Sequence, residues 1–151
     1  MSWATCERGH LHWGPRGAAG LLVAHEGAVL LQLRARWTHR GGTWAVPGGA
    51  RERGESATEA ALREAHEELG VEATALAVHG SHVALCGGWS YETVLARPTG
   101  GPVALGLRDR SESDGHRWVA ADEVAALPLH PGFRRAWEDE ASGLAAFVRQ
   151  G

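Results

Sequence analysis

Glu64, Glu67 and Glu68 stand at positions i, i+3 and i+4 of one run. On a helix those positions share a face. Glu67 and Glu68 also lie just before Gly70, a residue type that ends helices, so they fall where the last carbonyls already carry partial negative charge. Like charges at i, i+4 repel, and anions at a helix C-terminus are disfavoured. A cluster that breaks both rules needs a compensating cation. Carboxylates facing one point suit a hard divalent ion, magnesium or manganese, better than zinc.

The elements that must hold these carboxylates follow from the flanking residues. Ser56 is an N-cap with Glu59 three residues on, which completes a capping box and starts a helix that runs to about Leu69. Thr58, Leu62, Ala65 and Leu69 form its face opposite the glutamates. Ala57, Ala60 and Ala61 are expected on or beside the acidic face, where small side chains leave room for ions and phosphate. Before the helix, residues 18–24 and 28–34 are apolar runs divided by His25-Glu26-Gly27, a hairpin pattern. A short strand over 43–46 is stopped by Pro47-Gly48-Gly49, whose glycines permit positive φ and close backbone approach to a ligand. After the helix, 73–85 and 90–97 have strand character around Cys86-Gly87-Gly88. Residues 116–120 make a short strand, 122–127 a short helix capped by Asp122, and 133–150 a final helix. Residues 1–17 form a polar arm, and 18–151 a single domain. Strands around one central helix, with a helix at the end, indicate an α/β layered fold.

The run from Gly49 to Val71 resembles the signature of the Nudix hydrolases, with Gly49, Glu55, Arg63, Glu64, Glu67, Glu68, Gly70 and Val71 all in place. The first aliphatic slot departs from the pattern only in size, holding Ala65. The resemblance implies an α/β/α sandwich with a mixed β-sheet between helices. It also implies cleavage of a phosphoanhydride bond in a nucleoside di- or triphosphate derivative by metal-activated water, with Mg2+ or Mn2+ as cofactor. Glu64, Glu67 and Glu68 are the expected metal ligands, joined by the Gly49 carbonyl. Glu64 is the first candidate for general base. Arg63 is expected to tie loop to helix by pairing with Glu55 or Glu67. Glu112, in the run 108–114, resembles the extra glutamate of MutT-type members and is a candidate ligand or alternative base, with Asp114 and Glu92 competing. Trp118 sits where related nucleotide-pool enzymes place a base-stacking aromatic. Asp122 is a candidate for a base edge, although capping explains it more simply. Arg51, inside the glycine-rich loop, is the best phosphate-binding candidate among Arg34, Arg36, Arg40, Arg51 and Arg53.

Other classes are excluded or disfavoured. A net charge of −3 gives no sign of a nucleic-acid polymer as partner. No run of about 18 apolar residues exists for a membrane span. Two cysteines make no disulfide framework, and a reducing cytoplasm fits best. Cys6, His10 and His12 match no zinc pattern. Within the resembled family, MutT-like cleansing of the nucleotide pool is favoured over an ADP-ribose or nucleotide-sugar pyrophosphatase. A non-catalytic nucleotide-binding module would tend to lose motif glutamates, and this chain keeps them all. Monomer and homodimer both remain open.

Overall fold

The computed structural model describes residues 3–5, 11–13, 15–35, 41–101, 103 and 113–150, with side chains described except at 3–5, 11–13, 113 and 114. Within the arm, β1 (Trp3–Thr5) and β2 (Leu11–Trp13) form a two-stranded antiparallel ribbon. The main sheet contains β3 (Ala18–His25), β4 (Ala28–Arg34), β5 (Trp44–Ala45), β6 (Gly48–Ala50), β7 (Leu76–Cys86), β8 (Trp89–Pro98) and β9 (Ser113–Ala120). It is mixed, because β3 and β8 run parallel while the other pairings are antiparallel. The helices α1 (Ala57–Leu69), α2 (Pro131–Glu138) and α3 (Leu144–Arg149) complete it.

β3 is an unbroken apolar run because both its faces are covered. Ala19, Leu21 and Val23 pack under α1 with Leu30, Val94 and Ala96, while Leu22 and Ala24 face Phe133, Trp137, Leu144 and Val148 of α2 and α3. Helices thus lie on both faces, the α/β/α arrangement expected. Leu21, Leu22, Leu30 and Leu31 are fully buried, each worth roughly 1.5–3 kcal/mol of transfer free energy.

β3 and β4 are joined by the expected tight turn, with Glu26 and Gly27 both at positive φ. They pair only next to that turn, at Ala24↔Val29 and His25↔Ala28, and then diverge. The bend from β5 to β6 fills the gap: β5 pairs with β4, β6 pairs with β3, and Leu21 N donates to Pro47 O. The Pro-Gly-Gly segment therefore does not merely stop a strand; it begins one.

Two further expectations need correction. Ala57, Ala60 and Ala61 share the helix side of Glu64 and Glu68, as expected, but they are buried against the sheet, so their small size lets α1 approach β3 closely and does not leave room for ions and phosphate. The final helix is broken: α2 ends at Glu138, a 3-10 turn spans Glu140–Ser142, and Gly143 in the left-handed region precedes α3. No helix among the described residues is long and apolar enough to cross a membrane.

Candidate active site at the glycine bend and the acidic helix

The capping box on α1 is formed as the sequence requires. Glu59 N donates to Ser56 Oγ, Ser56 N donates to Glu59 Oε1, and Gly70 closes the helix in the left-handed conformation with φ of 71°. These hydrogen bonds hold the Glu59 carboxyl below its ordinary range. The helix is thus fixed in phase against β3, and that phase decides where each glutamate points.

The trio is graded rather than equivalent. Glu68 is buried, 2% exposed, and accepts a hydrogen bond from Gly48 N at 3.2 Å. The Glu64 side chain is 13% exposed, and its carboxylate lies against Gly49, filling the place where a Cβ would stand, 2.6 Å from that position. Glu67 projects outward, with a side chain 51% exposed. Two of the three carboxylates therefore abut the bend.

Gly48 and Gly49 earn their place through close approach. Neither takes a positive φ. A Cβ on Gly48 would come within 2.5 Å of Ala19 O and 2.8 Å of the Tyr91 hydroxyl. The same hydroxyl occupies the space a side chain on Gly20 would need. Burial pushes the Tyr91 phenol well above its ordinary value, reinforced by the nearby Glu68 charge. Tyr91 is thus a packing support beneath the bend.

Arg63 is the hub of the charge network. Its Nε and Nη2 donate to the two Glu55 carboxylate oxygens at 2.7 and 2.9 Å, a fork-to-fork pair. Nη2 also donates to Ala50 O at 3.1 Å, and Nη1 donates to Glu64 Oε1 at 3.0 Å and to Glu67 Oε2 at 3.3 Å. Arg63 thus pairs with both of its expected partners and ties loop to helix. The guanidinium holds the Glu55 carboxyl below its ordinary 4.5, and the same contacts raise the Arg63 pKa.

Among the described residues no three His, Cys, Asp or Glu side chains converge as a ready-made ion cage. Arg63 stands between Glu64 and Glu67 as their cation. One guanidinium faces Glu52, Glu55, Glu64 and Glu67, so the cluster remains net negative. The donors are all hard oxygens, as a magnesium or manganese site requires.

The remaining candidates separate. Arg51 donates from Nε and Nη2 to Glu55 O, bracing the loop. It also lines an open cleft of about 460 Å³ with Arg16, Glu52, Glu55, Ser56 and Glu59, at the N-terminal end of α1. Trp118 is partly buried on the α1 cluster, with the His25 ring edge-on at a centroid distance of 6.3 Å. Asp122 does not cap its helix; it lies in a 3-10 turn whose N-cap is Ala120, and it meets Arg149 at 3.3 Å. The structure brings neither Trp118 nor Asp122 into contact with the glutamates by any hydrogen bond or ring contact seen here. Gln32, on β4 opposite His116, has a buried Oε1 without a hydrogen-bond partner among the described residues. Glu112, Arg36, Arg40, Cys6 and His10 lie outside the described residues, as do the side chains of His12 and Asp114.

The family model described as "NUDIX domain" matches residues 14–139. A Mycobacterium tuberculosis protein named "Putative 8-oxo-dGTP diphosphatase 3" is 45% identical over 147 residues, covering 90% of this chain and 66% of its own length. A Bifidobacterium longum nucleoside triphosphate pyrophosphatase/Nudix hydrolase fusion protein is 37% identical over 142 residues, 89% of this chain and 30% of its own. The chain thus spans just under two thirds of the first relative and less than a third of the second. The crystal structure of a Nudix hydrolase from M. smegmatis, RenU, superposes with a TM-score of 0.83 at 44% identity, covering 96% of this chain and 95% of that one.

Proposed function

The chain belongs to the Nudix family, and we propose that it is a metal-dependent pyrophosphohydrolase that cleaves a nucleoside triphosphate derivative in the manner of MutT. The observation that carries this reading is the seating of Glu64 and Glu68 against Gly49 and Gly48, which fixes two carboxylates at one backbone bend. Glu64, Glu67, Glu68 and the Gly49 carbonyl would hold Mg2+ or Mn2+. When bound, the metal neutralises phosphate charge and acidifies a water. Glu64, partly enclosed and held by Arg63, would accept the proton of the attacking water. Glu68, buried and anchored by Gly48 N, is fixed in orientation without further cost during turnover. Arg63 and Glu55 keep the bend and helix in register while charge builds up at phosphorus. Glu112 is retained as a further ligand or alternative base, Arg51 as a phosphate contact and Trp118 as the base-stacking surface. No nucleophilic Ser or Cys with a partner base is needed, because water is the nucleophile.

The name of the M. tuberculosis relative favours an oxidised purine nucleoside triphosphate as substrate. Removal of such a nucleotide from the precursor pool, in the cytoplasm, is the role this supports. The test is magnesium-dependent phosphate release on a panel of ordinary triphosphates, oxidised guanine nucleotides, ADP-ribose and dinucleoside polyphosphates. Preference for the oxidised triphosphate is expected, and preference for ADP-ribose would overturn the substrate assignment. Hydrolysis that survives Glu67→Gln and Glu68→Gln together would overturn the site.

A further inference from the structure

β7 closes one side of the sheet, and among the described residues its only strand partner is β8. Its outer edge presents backbone N–H and C=O groups over eleven residues. Natural edges are commonly guarded by charged side chains or proline. From Leu76 to Cys86 there is no Asp, Glu, Lys, Arg or Pro. The same strand carries the exposed large apolar residues Val78, Val83 and Leu85, at 45%, 46% and 74%.

The strand also has an internal symmetry. Residues 76–85 read Leu-Ala-Val-His-Gly-Ser-His-Val-Ala-Leu, the same in both directions apart from the central Gly80-Ser81. Four matched pairs at one centre have a chance on the order of 10⁻⁵ at average composition, so about one chain in 500 of this size would carry them by accident. The weight comes from where the palindrome falls.

A regular strand could not use it. Antiparallel pairing of two copies about a two-fold axis between Gly80 and Ser81 sets Val78 against Val83 and Leu76 against Leu85. In a strictly alternating strand these mates, separated by an odd number of residues, would lie on opposite faces. β7 does not alternate strictly. Val78 faces Ala96 and Gly80 faces Leu95, so His79 is an extra residue and shifts the alternation by one. Leu76 and Val78 stand opposite Pro98 and Ala96, and Ser81, Val83 and Leu85 stand opposite Val94, Glu92 and Ser90. All five therefore share one face, which is the α1 face, since Val94 and Ala96 belong to the α1 cluster. The bulge brings the two halves of the palindrome into phase.

We propose that β7 pairs with β7 of a second copy of this chain, making one sheet continuous across a two-fold dimer. Each Val78 then packs on Val83 of the second copy and each Leu76 on Leu85, with His79 opposite His82 and no Asp, Glu, Lys or Arg along the seam. A ten-residue ladder is about 33 Å long. A single strand pair of that length falls short of the roughly 1,000 Å² that a tight interface buries. The dimer is therefore concentration-dependent.

Sedimentation velocity of the full chain tests this. A species near twice the 16.1 kDa chain mass is expected at high concentration, dissociating on dilution. Val83→Lys with Leu85→Lys should abolish it while circular dichroism and nucleotide hydrolysis by the monomer stay unchanged. Register is read separately, by oxidising Val78→Cys/Val83→Cys in a Cys6→Ser/Cys86→Ser background. Facing cross-strand positions come within disulfide range, so a covalent dimer should form. Val78→Cys/Leu85→Cys should not give one. A monomer at every concentration overturns the proposal. So does a dimer that survives both lysines, or one that fails to cross-link at 78 and 83.

Discussion

Replacing Arg63 by glutamine removes the guanidinium contacts that tie the bend to the helix. The guanidinium makes two charged hydrogen bonds to Glu55, one to Glu64 and one to Ala50 O, all between 2.7 and 3.1 Å. Charge-assisted hydrogen bonds contribute roughly 1.5–3 kcal/mol each when taken singly, but these share one donor group and do not add. Loss of one member of a buried ion pair costs about 3–5 kcal/mol. The Arg63 side chain is 24% exposed, which reduces that figure to about 2–4 kcal/mol. At roughly 2–4 °C per kcal/mol for a chain of this size, Tm should fall by about 5–15 °C. Urea denaturation gives the free energy directly. A double-mutant cycle with Glu55→Gln isolates the pair, with an expected coupling of about 1.5–3 kcal/mol. A loss under about 1 kcal/mol, or a coupling near zero, would refute the view that Arg63 fastens the loop to the helix.

The two bend glycines should fail in different ways. Gly49→Ala displaces the Glu64 carboxylate, so hydrolysis should drop by about 10²-fold or more with little change in Tm. Gly48→Ala drives a methyl into the β3 backbone at Ala19 O and Gly20 Cα, and should destabilise by about 1–3 kcal/mol in urea melts. Ala61→Leu, placed where α1 meets the sheet, should destabilise by a similar amount, about 1–3 kcal/mol; a neutral result would mean that α1 does not pack closely on its alanines. Acid should weaken the fold through Glu55. Its folded pKa lies below the ordinary 4.5, so its contribution is complete above that value and is lost as pH falls through the depressed one. Urea midpoints followed from about pH 6 to about pH 3 should fall less steeply for Glu55→Gln than for the parent chain.

Local chemistry was legible wherever a residue type has one strong preference. The Ser56–Glu59 box and Gly70 delimit α1 to within a residue, and Glu26-Gly27 and Gly87-Gly88 mark the β3–β4 and β7–β8 turns. The phase of α1 was harder to read. Alanine carries no polar or bulky signal, so Ala57, Ala60 and Ala61 did not announce which side meets the sheet. The same ambiguity hid the division of the glutamates. Neighbouring helix positions are about 100° apart, so Glu67 and Glu68 cannot share a direction once β3 fixes the rotation. One therefore turns to solvent and the other to Gly48 N. Arg63 was expected to pair with Glu55 or Glu67, but its further contact with Glu64 was not announced by the spacing. The break at Gly143 was present as a residue but masked by the apolar periodicity running from Phe133 to Val148.

The bend that cradles Glu64 and Glu68 is woven into the sheet on both sides, through Gln32↔Ala45 and Ala19↔Gly49. Backbone amides there should exchange with deuterium on the timescale of global unfolding, unlike those of a hinged loop. Substrate entry and product departure would then be governed by movements elsewhere on the surface. Thermal inactivation should coincide with loss of the fold, with no earlier stage in which the domain persists and its chemistry has gone.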